Sequence, residues 1–161
     1  MQCVDCDASI RVRHNQTVAY DFGGLPDVSL CGIDVRVCDN GHRDYVLPKR
    51  DELHQALTHA LVVKPTRLMP CEVKFMRQHL GWSQAAFAKR MGVAPESASR
   101  WESGAIMMAP TAERLLRLMV LTLKPLAHYK FLEVFARLNH KRSPGRMRAI
   151  FVNNAWKVTP R

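Results

Sequence analysis

The stretch from Val73 to Arg117, VKFMRQHLGWSQAAFAKRMGVAPESASRWESGAIMMAPTAERLLR, constrains this chain more than any other. Its capping and turn-forming residues leave little freedom. Ser83 precedes a helical run and can accept a bond from an orphan backbone N–H of the first turn. Gln84 then sits at the exposed helix start. Ala88 falls where a second helix must cross closely. Gly92 suits the left-handed conformation that ends a helix, and Val93 plugs the turn that follows. Pro95 fits the first position of the next helix, where its missing N–H would have no partner anyway. That second helix runs over Glu96 to Ser103, with Ala98 and Trp101 facing in and Glu96, Ser97, Ser99 and Arg100 facing out, and Ser103-Gly104 ends it.

These positions describe a helix-turn-helix within four short helices. A second helix with small, polar and Arg residues on its outer face can enter a DNA major groove. An ordinary bundle would need the apolar spacing alone. Charge agrees with the DNA reading. The net +10 divides into −3 over residues 1–63 (six Lys+Arg, nine Asp+Glu) and +13 over residues 64–161 (eighteen against five). Only the second part is suited to displacing counterions from phosphates. Ser83, Gln84, Glu96, Ser97, Ser99 and Arg100 are the expected DNA-binding residues. Arg100 is a natural reader of guanine O6 and N7. The segment resembles the helix-turn-helix of the Cro/cI-type (XRE) repressor family, a resemblance that implies an all-α domain binding operator DNA as a homodimer. Two-fold symmetry then predicts an inverted-repeat operator with recognition helices about 34 Å apart.

The N-terminal third carries a different chemistry. Cys3-Val-Asp-Cys6 can grip one ion from a tight knuckle. Ile10 to Tyr20 reads as a strand, Gly23-Gly24-Leu25-Pro26 as a turn, and Val28 to Val37 as one strand or two short ones that deliver the chain to Cys38-Asp39-Asn40-Gly41-His42. Cys3, Cys6 and Cys38 are the expected metal ligands. His42 completes a tetrahedral three-Cys, one-His set, with Cys31 as the competing fourth ligand. Four protein ligands close the site, so a structural Zn2+ is expected, supplying stability that a domain of about 48 residues lacks. Five Cys in a reducing compartment point to metal or free thiols more than to disulfides.

Residues 49–63 read as an amphipathic helix: Asp51 and Glu52 lie in the first turn, Leu53, Leu57, Ala60 and Leu61 form the stripe, and His54 and His59 are expected in solvent. Lys64 to Pro70, broken by two prolines, reads as a linker. Cys3-x-x-Cys6, the Gly23-Leu25-Val28 region, Cys38 before Tyr45 and Pro48, Glu52-Leu53-His54, Lys64-Pro65 and then the helix-turn-helix follow one another in an order that resembles the MqsA-type antitoxins with a YgiT-type zinc finger. The resemblance covers roughly residues 1–123. It implies a zinc domain that contacts a partner toxin, a C-terminal domain that dimerises on an operator, and repression of the chain's own operon. Members of that family usually carry Cys where this chain has Gly41. They read bases with two outward residues four apart, which match Glu96 and Arg100 here. Glu96 stands where a neutral polar residue is common.

Ile106, Met107 and Met108 read as core filler, or as a soft contact surface for a partner. The helix Thr111 to Leu123 closes the domain core, either that alone or with a dimer seam as well. In the tail, Leu126 to Leu138 reads as a helix, Asn139 to Arg146 as a basic turn, and Asn153-Asn154 as the turn of a β-hairpin. The tail's net +7 fits an extended DNA footprint, a solvated basic surface or a protein-binding element.

The expected organisation is α+β: a zinc-bound β-rich domain over 1–48, a connecting helix and linker over 49–70, a helix-turn-helix domain over 71–124, and a basic extension over 125–161 with a helix and a β-hairpin. No phosphate-binding Gly-rich loop and no nucleophile–base pair is present, so no enzyme is expected. No run of about 18 apolar residues predicts a membrane span, and no signal peptide opens the chain, so a cytoplasmic DNA-binding repressor is expected. The competing reading is an interaction protein that masks a toxin or other enzyme through residues 1–63.

Overall fold

The computed structural model describes residues 2–20, 24–123 and 147–160. They form two units, one of residues 2–20, 26–56 and 147–160, the other of residues 24–25 and 57–123.

The first unit is built on one five-stranded sheet. Its strands are β1 (Ile10–Ala19), β2 (Val28–Cys38), β3 (Arg43–Tyr45), β4 (Met147–Val152) and β5 (Ala155–Pro160). β2 is the spine. One of its edges carries β1, antiparallel from Ile10↔Cys38 to Ala19↔Ser29. Two strands share the other edge. Val35–Val37 pair antiparallel with β3, and Val28–Cys31 pair parallel with Met147–Ile150 of β4. Val28, Leu30, Ile33 and Val35 of β2 are buried. Their parity changes between Leu30 and Ile33, and an uncorrected one-residue slip would turn half of the strand outward. The chain corrects it at Gly32, whose φ is +79°, opposite an irregular stretch of β1 where Asn15 also has positive φ (55°). A β-carbon at Gly32 would lie 2.8 Å from the Phe151 carbonyl oxygen, so this position needs glycine both for its backbone and for the close approach of β4.

The hairpin forms where Asn153-Asn154 predicts it. Both residues have positive φ (52° and 61°), as the favoured two-residue turn requires. Its place in the sheet meets the need of an isolated hairpin for a partner. Trp156 is buried against Phe151, with ring centroids 5.1 Å apart, and donates its Nε1–H to the Pro48 carbonyl at 3.0 Å. The expected helix over Leu126–Leu138 and the basic turn over residues 139–146 lie outside the described residues.

Helix α1 (Arg50–Val63) carries Asp51 and Glu52 in its first turn, where the helix dipole favours anions. Leu53, Leu57 and Leu61 are fully buried. His54, expected in solvent, is half-buried. Its Nε2 lies 2.6 Å from the Tyr20 hydroxyl. Burial raises the Tyr20 pKa and lowers that of His54, which favours a neutral imidazole accepting a hydrogen bond from the protonated phenol. His59 is half-buried too, and burial lowers its pKa.

The second unit holds α2 (Pro70–His79), α3 (Gln84–Met91), α4 (Pro95–Ser103) and α5 (Pro110–Leu123). Val73, Phe75 and Met76 from α2, Phe87 and Ala88 from α3, Ala98 and Trp101 from α4, and Leu116 and Val120 from α5 make its core. Of the Ile106–Met108 run, read as core filler or as a contact surface, Met108 alone is buried, while Ile106 (42% exposed) and Met107 (44%) lie at the surface.

Residues 64–69, which read as a linker, are held tightly by side chains of this unit. Glu72 accepts from Lys64 Nζ through both oxygens at 2.9 Å and from the Met69 N–H at 2.7 Å. Glu113 accepts from Arg67 Nε at 2.6 Å, the Leu68 N–H at 3.1 Å and Arg117 at 2.8 Å. Arg67 also donates to the Met108 carbonyl. Arg117 is wholly buried and donates to the carbonyls of Val62, Lys64 and Thr66. Cys71, at the start of α2, is a half-buried thiol.

Candidate nucleic-acid interface and metal centre

Local chemistry places each element around α4. The Ser83 hydroxyl accepts from the Ala86 N–H at 3.1 Å and starts α3. Gly92 ends it at φ 67°, with the Val93 N–H returning to the Ala88 carbonyl at 3.0 Å. Pro95 opens α4 at its first position, and Gly104 closes it at φ 81°. Ala88 and Ala98 are buried, so α3 and α4 can approach closely. Phe87 meets Trp101 edge-on with centroids 6.3 Å apart, an arrangement aromatic pairs prefer.

The outer side of α4 is therefore fixed. Glu96, Ser99 and Arg100 are exposed, and Ser97 is half-buried. Ser83 and Gln84 are exposed at the start of α3. The Gln84 amide donates to Glu102 at 3.3 Å.

The residues that position α4 carry no sequence signal. Arg77 of α2 meets the Glu102 carboxylate at 2.5 and 3.1 Å, and it also donates to the Trp82 carbonyl at 2.6 Å. One guanidinium thus ties α4 to the turn between α2 and α3. Arg77 and Glu102 are 25 residues apart, with no spacing rule to pair them. Arg90 lies over the Trp82 ring, 4.7 Å from its centroid.

In the first unit, Cys3, Cys6, Cys38 and His42 come together. Their ligand atoms all lie within 4.8 Å of one another. Cys3 Sγ is 3.6 Å from His42 Nδ1, and Cys6 Sγ is 3.7 Å from Cys38 Sγ. A small loop presents the first pair: Cys3 N–H bonds to the Ala8 carbonyl and Asp7 N–H to the Cys3 carbonyl, both at 2.9 Å. The second pair ends β2. Cys38 and His42 close a turn in which the Gly41 N–H donates to the Cys38 carbonyl at 3.0 Å, with Gly41 at φ 86°. The His42 N–H points at Cys38 Sγ, 3.3 Å away. Position 41 needs glycine for the turn, and the donor one residue on faces the sulfurs. The Ala8 N–H, aided by the Asn40 side chain, holds the Cys6 thiol at about 6, so the thiolate needed for metal binding is available at neutral pH.

Cys31 does not join this group. It is buried near the other end of β2, where Arg148 reaches its sulfur at 3.4 Å. Distance along β2 removes it from the donor set. The four residues Cys3, Cys6, Cys38 and His42 could hold a metal ion.

Compared with known families, residues 73–126 match a helix-turn-helix family. The matched model is of the XRE type. The match spans about a third of the chain and supports a DNA-binding transcription regulator. No curated protein and no solved structure matches. Among the described residues, no helix is long and apolar enough to cross a membrane.

Proposed function

We propose that the chain is a sequence-specific DNA-binding repressor that acts as a homodimer on an inverted-repeat operator. The observation that carries this reading is the outer side of α4, where Ser99 and Arg100 stand exposed on a helix whose inner side is locked by Ala98, Trp101 and the Arg77–Glu102 pair. α5 favours the dimer, since Leu115 is 37% and Leu123 55% exposed. Arg100→Ala is the test. Losing a guanidinium that donates to guanine O6 and N7 costs about 1–3 kcal/mol per half-site. A gel-shift titration on the chain's own upstream DNA is expected to show that loss, with metal content unchanged. Wild-type affinity in the variant removes Arg100 from the interface.

The ion we assign to the four-residue cluster is a structural zinc. Tetrahedral zinc with Zn–S of about 2.3 Å and Zn–N of about 2.0–2.1 Å requires S···S edges near 3.8 Å and S···N edges near 3.6 Å. The 3.7 Å Cys6–Cys38 and 3.6 Å Cys3–His42 separations support that choice.

The context we infer is a toxin–antitoxin operon, in which the first unit contacts a toxin and the second represses the operon. Exposed Val12 (45%) and Val46 (57%) on that unit favour a protein partner there. Co-expression with the neighbouring gene is expected to yield a complex that survives purification and the Arg100→Ala change. A partner retained only through residues 57–123 would overturn the assignment.

A further inference from the structure

The second unit is basic, and its acids among residues 57–123 are four: Glu72, Glu96, Glu102 and Glu113. Three are structural. Glu72 pairs with Lys64, Glu102 with Arg77, and Glu113 with Arg67 and Arg117, their own side chains 4%, 6% and 7% exposed. Glu96 differs from all of them. It is exposed on the outer side of α4 and makes no ion pair among the described residues, not even with Arg100 one turn further on. A bare carboxylate there opposes phosphate attraction. A contact that rewards an acceptor is the way such a group contributes to DNA binding.

We propose that Glu96 is a specificity-determining residue that selects cytosine in the operator, next to the guanine contacted by Arg100. The inference rests on the DNA-binding reading of α4. A carboxylate only accepts hydrogen bonds. In the major groove the base-edge donors are the N4 amine of cytosine and the N6 amine of adenine. Adenine places its N7 acceptor beside that amine and repels a carboxylate. Cytosine places a neutral C5–H there, so cytosine is favoured. Guanine and the thymine edge present acceptors and are disfavoured. Four residues along a helix advance about 6 Å, between one and two base-pair steps of about 3.4 Å. Glu96 and Arg100 therefore address neighbouring base pairs with opposite chemistry, one demanding a donor and the other an acceptor pair. Negative charge at this position also weakens binding to DNA that lacks the amine, which sharpens discrimination by penalising wrong sites.

The test is selection of binding sites from a randomised duplex library with the full-length wild-type protein, Glu96→Gln and Glu96→Ala, read by sequencing. Wild-type sites are expected to fix cytosine at one position, preferred about tenfold over other bases. In Glu96→Gln that position is expected to turn to adenine, since an amide both donates to N7 and accepts from N6. In Glu96→Ala it loses preference, with the neighbouring guanine retained in both. A consensus unchanged in both variants overturns the inference and leaves Glu96 acting at the helix start alone. No enriched sequence with the wild-type protein overturns the DNA-binding reading itself, and the inference with it. Circular dichroism of the variants, expected to match wild type because Glu96 is exposed, separates lost specificity from lost folding.

Discussion

Cys38→Ser is expected to strip the metal from the protein and to melt one end of the first unit's sheet while leaving the other end and the helix-turn-helix intact. Cys38 sits at the centre of the cluster. Its sulfur is 3.7 Å from that of Cys6 and accepts the His42 N–H. Its backbone N–H meets the His42 carbonyl at 3.0 Å, and the same residue pairs with Ile10 at the start of β1. Structural zinc contributes about 10–16 kcal/mol of apparent binding free energy, and a serine hydroxyl cannot replace a thiolate as ligand at neutral pH. The end of the sheet around the cluster has little apolar burial to fall back on: β1 is exposed or half-buried along its whole length, and β3 has no buried residue. The opposite end is held by Val28, Leu30, Met147, Ala149 and Trp156, all buried. Hydrogen exchange read by mass spectrometry is therefore expected to lose protection in residues 2–12 and 36–45 and to keep it in 28–31, 147–152 and 57–123. Cys31→Ser is the control and is expected to retain metal. One equivalent of metal in purified Cys38→Ser would overturn the assignment.

That expectation is narrower than the one the sequence supports. The Cys3-x-x-Cys6 knuckle and the Cys38–His42 turn are legible because metal ligation imposes local spacing. A metal-dependent domain of about 48 residues then follows from its small core. The hairpin changes that conclusion. Its turn is legible from Asn153-Asn154, but its partner is β2, more than a hundred residues earlier, and nothing in either strand marks a parallel pairing. The helix-turn-helix shows the same division. Ser83, Gly92, Pro95 and Gly104 each have a cause within a few residues, and each forms as expected. The Arg77–Glu102 pair answers to the tertiary structure alone. His54 and residues 64–69 mislead for a related reason. Polarity and proline read as solvent and linker, whereas Tyr20, Glu72, Glu113 and Arg117 supply the partners that hold them.

Arg117→Ala carries the largest expected effect on the second unit. Arg117 is 0% exposed, and its guanidinium bonds the carbonyls of Val62 at 2.9 Å, Lys64 at 2.6 Å and Thr66 at 2.8 Å, besides Glu113 at 2.8 Å. Burying an arginine is favourable only where its donors are matched, and here one planar fork meets the last turn of α1, the chain that follows it and α5 together. Alanine leaves orphaned carbonyls, a cavity, and a Glu113 carboxylate with Arg67 as its one remaining ionic partner. Removing one member of such a buried pair costs about 3–5 kcal/mol. For a unit of this size each kcal/mol lowers the melting temperature by roughly 4–8 °C. Loss of the helical circular-dichroism signal is thus expected more than about 10 °C below wild type. Arg117→Lys is expected to recover only part of that difference, because one ammonium on a flexible stem cannot span three carbonyls and a carboxylate in a fixed plane. Metal content should stay at the wild-type level in both variants, since the ligands belong to the other unit. A melting temperature within about 2 °C of wild type for Arg117→Ala would show that residues 62–66 are held by contacts other than this guanidinium.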